Sequence, residues 1–196
     1  MAKVRRKKST TIIIITILLA ILYMQLSTSI PNILPDLDKE DAPPVTGIHP
    51  VVLDQKNKLV AKAREIGIKI IITDGYRSGE EQNRLYKQGR STEGDIVTNA
   101  QAGESMHNYG LAIDFALQLK DGSVIWDMEY DGNGNGKSDW MEVVAIAKDL
   151  GFQWGGDWTN FPDYPHLQMD FGLTIRDLKR GKRPPVDSHE YLEALK

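Results

Sequence analysis

The sequence predicts an α+β domain built on a small antiparallel sheet flanked by helices, and three observations carry that expectation. Val51 to Ile66 sets apolar residues at Val52, Leu59, Val60, Ala63 and Ile66 before Gly67, the pattern of an amphipathic helix with a glycine stop. Ile68 to Thr73 is rich in β-branched residues and breaks at Asp74-Gly75, which predicts a strand. Two later segments alternate. Leu111, Ile113, Phe115, Leu117 and Leu119 face one way and Ala112, Asp114, Ala116 and Gln118 the other, while His166, Gln168 and Asp170 oppose Leu167, Met169 and Phe171. Antiparallel pairing of these two segments would set Asp114 beside His166.

The remaining elements follow in chain order. Ser78 with Glu81 reads as a capping box opening a helix through Tyr86 that stops at Gly89. Arg90 to Asn108 has no period and many small polar residues, so it is expected to be a long functional loop. Val124–Tyr130 reads as another strand, and Asp139 and Glu142 as caps of a helix with apolar Val143, Val144, Ala147 and Leu150, ending at Gly151.

At 196 residues the chain suits one catalytic-sized domain plus a targeting segment. Lys3, Arg5, Arg6, Lys7 and Lys8 precede 22 residues, Ser9 to Ile30, without a charge. Residues 1–30 are therefore expected to be a signal anchor or a cleavable signal peptide. The basic flank keeps the N-terminus inside and sends the rest out of the cytoplasm, anchored to the membrane or secreted. Residues 31–48, with Pro31, Pro35, Pro43 and Pro44 and the acids Asp36, Asp38, Glu40 and Asp41, read as a stalk. The globular domain is expected over 49–185, and 186–196 as a charged tail. Beyond residue 30 there are 19 basic against 27 acidic residues, which argues against nucleic acid as a partner. The absence of cysteine excludes disulfides, a thiol nucleophile, a thiolate metal site and a cysteine-linked lipid anchor.

Of four histidines, His49 follows the stalk and His189 lies in the charged tail, where ordinary surface roles are expected. His107 and His166 sit instead at the edges of the two alternating segments. Zinc accepts neutral imidazole and carboxylate where thiolate is lacking, and a catalytic site supplies three protein ligands and leaves one position for water.

The text around those histidines is Ser105-Met-His107-Asn-Tyr-Gly110-Leu-Ala-Ile-Asp114 and Asp163-Tyr-Pro-His166. These runs resemble the two signatures of the bacterial zinc peptidases that include D-alanyl-D-alanine carboxypeptidases, D-Ala-D-Ala dipeptidases and L-alanyl-D-glutamate endopeptidases. The first, Ser-x-His-x-x-Gly-x-Ala-x-Asp, is matched at every specified position. Gly75-Tyr76-Arg77-Ser78 with Gln82 also looks like the family's substrate-facing arginine segment. The resemblance, spanning roughly Leu53 to Phe171, implies the fold of the hedgehog and D,D-peptidase type. It makes His107, Asp114 and His166 the zinc ligands, Asp163 the general base and Arg77 the group facing developing oxyanion charge or a substrate carboxylate. Ser105, Gln82 and Trp158 are candidate contacts to substrate, with local capping or core packing as their other roles. The Asp-x-Pro-His form, with Asn99-Ala100 and Trp154-Gly-Gly-Asp-Trp158, looks closer to the L-alanyl-D-glutamate endopeptidase branch, with the peptidoglycan stem peptide as substrate. A D-alanyl-D-alanine carboxypeptidase and a non-catalytic, zinc-bearing cell-wall recognition module stand as the alternatives. Asp163 discriminates, because a binding module needs no proton-shuttling carboxylate beside zinc.

A calcium site is suggested by Asp131-Gly-Asn133-Gly-Asn135-Gly136 followed by Lys137, Asp139 and Glu142, which fits the twelve-residue loop pattern. The other reading is a glycine-rich loop whose Asp139 and Glu142 cap the next helix.

Overall fold

The computed structural model describes residues 42 and 44–186; the segment 1–30, most of the stalk and nearly all of the 186–196 tail lie outside them. The described chain runs α1 (Pro50–Glu65), β1 (Ile70–Asp74), α2 (Gly79–Lys87), a 3-10 turn (Met106–Tyr109), β2 (Ala112–Gln118), β3 (Val124–Ile125), α3 (Asp139–Asp149), β4 (Gln153–Trp154), a second 3-10 turn (Gly155–Asp157), β5 (His166–Gln168) and α4 (Ile175–Lys179). No helix among the described residues is long and apolar enough to cross a membrane.

Local chemistry sets the boundaries. Pro50 opens α1 at a position where its missing N–H costs nothing. The Ser78 hydroxyl accepts the Glu81 N–H at the start of α2. At α3 the cap is Ser138, accepting from Met141, and not Asp139 as the sequence suggested. Asp139 is buried and turns back to accept the N–H groups of Gly132 and Asn133. Ser138 is free for capping because its own O–H is anchored on the Met128 carbonyl.

The sheet is antiparallel in the order β1-β2-β5-β4, with β3 paired to the far end of β2. The strand expected over Val124–Tyr130 is reduced to Val124–Ile125. Asp127 accepts the Glu129 N–H, and that turn ends the ladder. The core fills the space between the sheet and helices α1 and α3, with Leu59, Ala63, Phe115, Trp140, Val144 and Leu167 all buried. Phe115 and Trp140 stack at a centroid distance of 4.4 Å. Burial of side chains this size is worth about 1.5–3 kcal/mol each and fixes the strand register. The consequence is functional. Asp114 pairs with His166 across β2 and β5, and with Asp74 across β2 and β1, as the alternation along β2 and β5 predicted for the first pair.

Candidate active site

Strands β1, β2 and β5 bring Asp74, Asp114 and His166 together at one end of this sheet, and the segments that flank the strands complete the site. Ser105 opens the 3-10 turn by accepting the His107 N–H, within a capping box completed by Asn108. Gly110 closes the turn at φ 67°, and a Cβ there would lie 2.2 Å from the Gly47 carbonyl oxygen. The turn is thereby locked and His107, 3% exposed, is delivered over β2.

The His107 Nδ1 lies 2.6 Å from the Gly75 carbonyl, which can only accept, so Nδ1 carries the proton and the Nε2 lone pair is free. That lone pair meets Nδ1 of His166 at 3.2 Å, and Asp114 Oδ1 lies 3.3 Å from each nitrogen. Asp114 Oδ1 is buried and has no hydrogen-bond partner. Three electron-rich atoms at this separation repel one another unless a cation lies among them. Tetrahedral zinc with ligand distances of about 2.0–2.2 Å holds neighbouring ligand atoms about 3.3–3.6 Å apart, so the donor set and its spacing fit zinc. These residues form the one such group of histidine and acidic side chains among the described residues.

Protons compete for the same atoms. Burial opposes charge on Asp114, yet the imidazoles of His107 and His166 outweigh it and hold the carboxyl well below the usual carboxylate range. Burial likewise pulls the His166 pKa down, but Asp114 prevails and raises it. Metal binding here is therefore opposed by acid.

Around this centre lies an open cleft of about 630 Å³ lined by Asp74, Arg77, Ser105, Trp158, Asp163 and Gln168 among others. Asp163 is brought in by a tight approach: its N–H donates to Gly155, where a Cβ would sit 2.4 Å from the Asp163 carbonyl oxygen and 3.0 Å from Cβ of His166. Burial raises the Asp163 pKa, helped by Asp114 and partly offset by His166, His107 and Arg77.

Arg77 is clamped. Its Nε and Nη2 donate to Asp74 Oδ2 at 3.1 and 2.5 Å, and its Nη1 donates to Gln82 Oε1 at 2.9 Å. Two of its five N–H bonds remain, and Nη2 lies 3.8 Å from Asp114. Gln82 is fully buried, its amide also donating to the Ala100 carbonyl, so it positions Arg77 instead of touching substrate as the sequence suggested. Asp74 was missed in the sequence, although its place three residues before Arg77 at a strand end was a usable signal. Trp158 is 38% exposed and its ring lies 5.1 Å from that of His166, which puts it on the cleft wall.

The loop over 131–142 does not gather three carboxylates among the described residues. Asp131 accepts the N–H groups of Gly134, Asn135 and Gly136, and Glu142 accepts the side-chain amides of Asn133 and Asn135. With Asp139 turned to Gly132, the carboxylates expected to bind calcium are each engaged in hydrogen bonds within the loop. Lys137 contributes an N–H to Asn135. The calcium expectation therefore finds no support in the geometry.

Comparison with known proteins follows the same lines. A profile described as D-alanyl-D-alanine carboxypeptidase, of peptidase family M15, matches residues 98–169. The peptidoglycan L-alanyl-D-glutamate endopeptidase CwlK of Bacillus subtilis is 64% identical over 130 residues, covering 66% of this chain and 78% of CwlK. The L-alanyl-D-glutamate peptidase of Listeria phage A118 is 34% identical over 114 residues, 58% of this chain and 35% of the phage protein. Among solved structures, the Serratia marcescens L-Ala D-Glu endopeptidase ChiX is 26% identical with a TM-score of 0.43, covering 67% of this chain and 84% of its own.

Proposed function

The chain belongs to peptidase family M15, and on that premise we propose that it is a zinc-dependent peptidoglycan endopeptidase cutting between L-alanine and D-glutamate of the stem peptide. The observation that carries the chemistry is the triangle of His107 Nε2, His166 Nδ1 and Asp114 Oδ1 at 3.2–3.3 Å, set in a cleft that also holds Asp163 and Arg77. When bound, zinc supplies the Lewis acidity that lets water act as a nucleophile at neutral pH.

The protein's own groups do the rest. Asp163, with a pKa above that of an ordinary carboxylate, is suited to take a proton from water and return it to the leaving amine. Arg77 keeps two N–H bonds for the oxygen on which charge develops, and its clamp by Asp74 and Gln82 means that little reorganisation is needed. Trp158 offers an apolar wall against which the stem peptide can lie. Ser105 holds the His107 turn and also lines the cleft. A substrate in the cell wall requires an extracytoplasmic enzyme, for which residues 1–30 would serve as an export segment, either kept as an anchor or cleaved to release the protein.

Metal analysis of two variants tests this reading. Asp163→Ala is expected to keep one zinc per chain and lose hydrolysis, whereas His166→Ala loses both. Near wild-type cleavage by Asp163→Ala would overturn the assigned base, and full activity in metal-stripped wild type would overturn the class.

A further inference from the structure

Behind His166 lies a chain of side-chain hydrogen bonds that the catalytic roles above do not use. His166 Nε2 lies 3.0 Å from Gln168 Oε1, Gln168 Nε2 donates to Gln153 Oε1 at 3.1 Å, and Gln153 Nε2 donates to Asp170 Oδ2 at 2.7 Å. The fold assembles it: His166, Gln168 and Asp170 share one face of the β5 strand and its extension, and Gln153 of β4 pairs in register with Gln168.

The direction of this chain is set at its far end. A carboxylate can only accept, so Gln153 must present its NH2 to Asp170 and its oxygen to Gln168. Gln168 must then donate its own NH2 to that oxygen, which turns its Oε1 toward His166. An oxygen there obliges Nε2 of His166 to carry the proton, leaving the lone pair on Nδ1, the nitrogen that faces His107 and Asp114. His107 reaches the same result with one backbone carbonyl. For His166 the equivalent information passes from Asp170 through two amides.

We propose that Gln168, Gln153 and Asp170 are positioning residues that fix the tautomer and ring orientation of His166 and thereby set the affinity of the site for zinc. Partners of this kind behind a metal-bound imidazole are worth about 10- to 100-fold in metal affinity or activity. Gln168 is half-buried and is expected to matter most; Gln153 is exposed, and its share is reduced by solvent. The proposal rests on the reading of His166 as a zinc ligand.

The test is zinc affinity, measured by competition with a chromophoric chelator on the full chain, alongside the cobalt(II) absorption spectrum and the melting curve of chelated protein. Gln168→Met keeps the volume and removes the acceptor. It is expected to weaken zinc about 10-fold or more and to alter the cobalt bands, without moving the melting point of the chelated protein. Gln168→Glu restores an acceptor and is expected to recover wild-type affinity. Asp170→Asn, which frees the amides to turn round, is expected to give a smaller loss in the same direction, and carries the test if Gln168→Met fails to fold. Unchanged zinc affinity in Gln168→Met and Asp170→Asn would overturn the relay, including the case where KM alone rises and Gln168 proves a substrate contact. Absence of zinc binding by the wild type would instead overturn the assignment of His166 as a ligand.

Discussion

Replacing Arg77 with lysine keeps the charge and removes the fork, and the structure sets what that should cost. Arg77 is 8% exposed and spends three N–H bonds on Asp74 and Gln82, which no single ammonium can reach at once. Lysine can keep the contact to Asp74 and must abandon Gln82, leaving a buried amide oxygen unsatisfied at about 1–3 kcal/mol. It also lacks the two rigidly aimed N–H bonds that remain for substrate. Loss of one prepositioned donor to a developing oxyanion costs about 10²–10³ in kcat, or about 2.7–4 kcal/mol. The assay is steady-state cleavage of a defined muropeptide by zinc-loaded Arg77→Lys, with zinc content and the melting curve measured on the same sample. A fall in kcat of that size with KM little changed assigns Arg77 to the transition state; a rise in KM of similar size assigns it to a ground-state carboxylate. A kcat/KM within about threefold of wild type, with zinc intact, would refute the reasoning that the fork is required.

Gly155→Ala forces a Cβ to within 2.4 Å of the Asp163 carbonyl oxygen, and overpacking of this kind costs about 1–3 kcal/mol. Differential scanning calorimetry should show a melting point lower by about 2–12 °C together with weaker zinc binding; an unchanged value for both means the close approach is dispensable. Asp163→Asn, in chelated protein, should melt higher than wild type at neutral pH. The sign follows from linkage: a carboxyl whose folded pKa is raised is harder to ionise folded than unfolded, so its ionisation subtracts stability as pH rises, and the amide removes that loss. The difference should vanish in acid, below the ordinary aspartate range, and a variant less stable than wild type at pH 7 would contradict the burial argument. Zinc affinity of the wild type should fall as pH drops through the raised pKa of His166, since protons then occupy the Nδ1 lone pair; a pH-independent affinity by chelator competition would contradict it.

Alternation along β2 and β5 was enough to place Asp114 beside His166, because the side-chain period of a strand leaves little freedom once one face is apolar. His107 and Asp163 were legible through local signatures, but the features that aim them were not. The Gly75 carbonyl that fixes the His107 tautomer comes from a segment far away in the chain, and the Gly155 contact that seats Asp163 is made by a loop folding back on itself, which has no periodic signature. Gln82 is a candidate substrate contact or local cap from its place after the Gly75-Tyr76-Arg77-Ser78 segment; only the packed structure shows its amide spanning Arg77 and Ala100. The strand expected to run to Tyr130 was misjudged because the Asp127 turn outcompetes β-propensity after Ile125. In the 131–142 loop the spacing of oxygen ligands was right, but short polar side chains satisfy neighbouring N–H groups as readily as they bind a cation.

Mass spectrometry of the fragments released from a defined disaccharide-peptide reads which bond of the stem peptide is cut. Zinc-loaded wild-type protein should release a peptide with a new N-terminal D-glutamate and leave L-alanine on the glycan, with both products absent from the Asp163→Ala reaction. Release of free D-alanine with the L-alanyl-D-glutamate bond intact would make the protein a carboxypeptidase and not an endopeptidase.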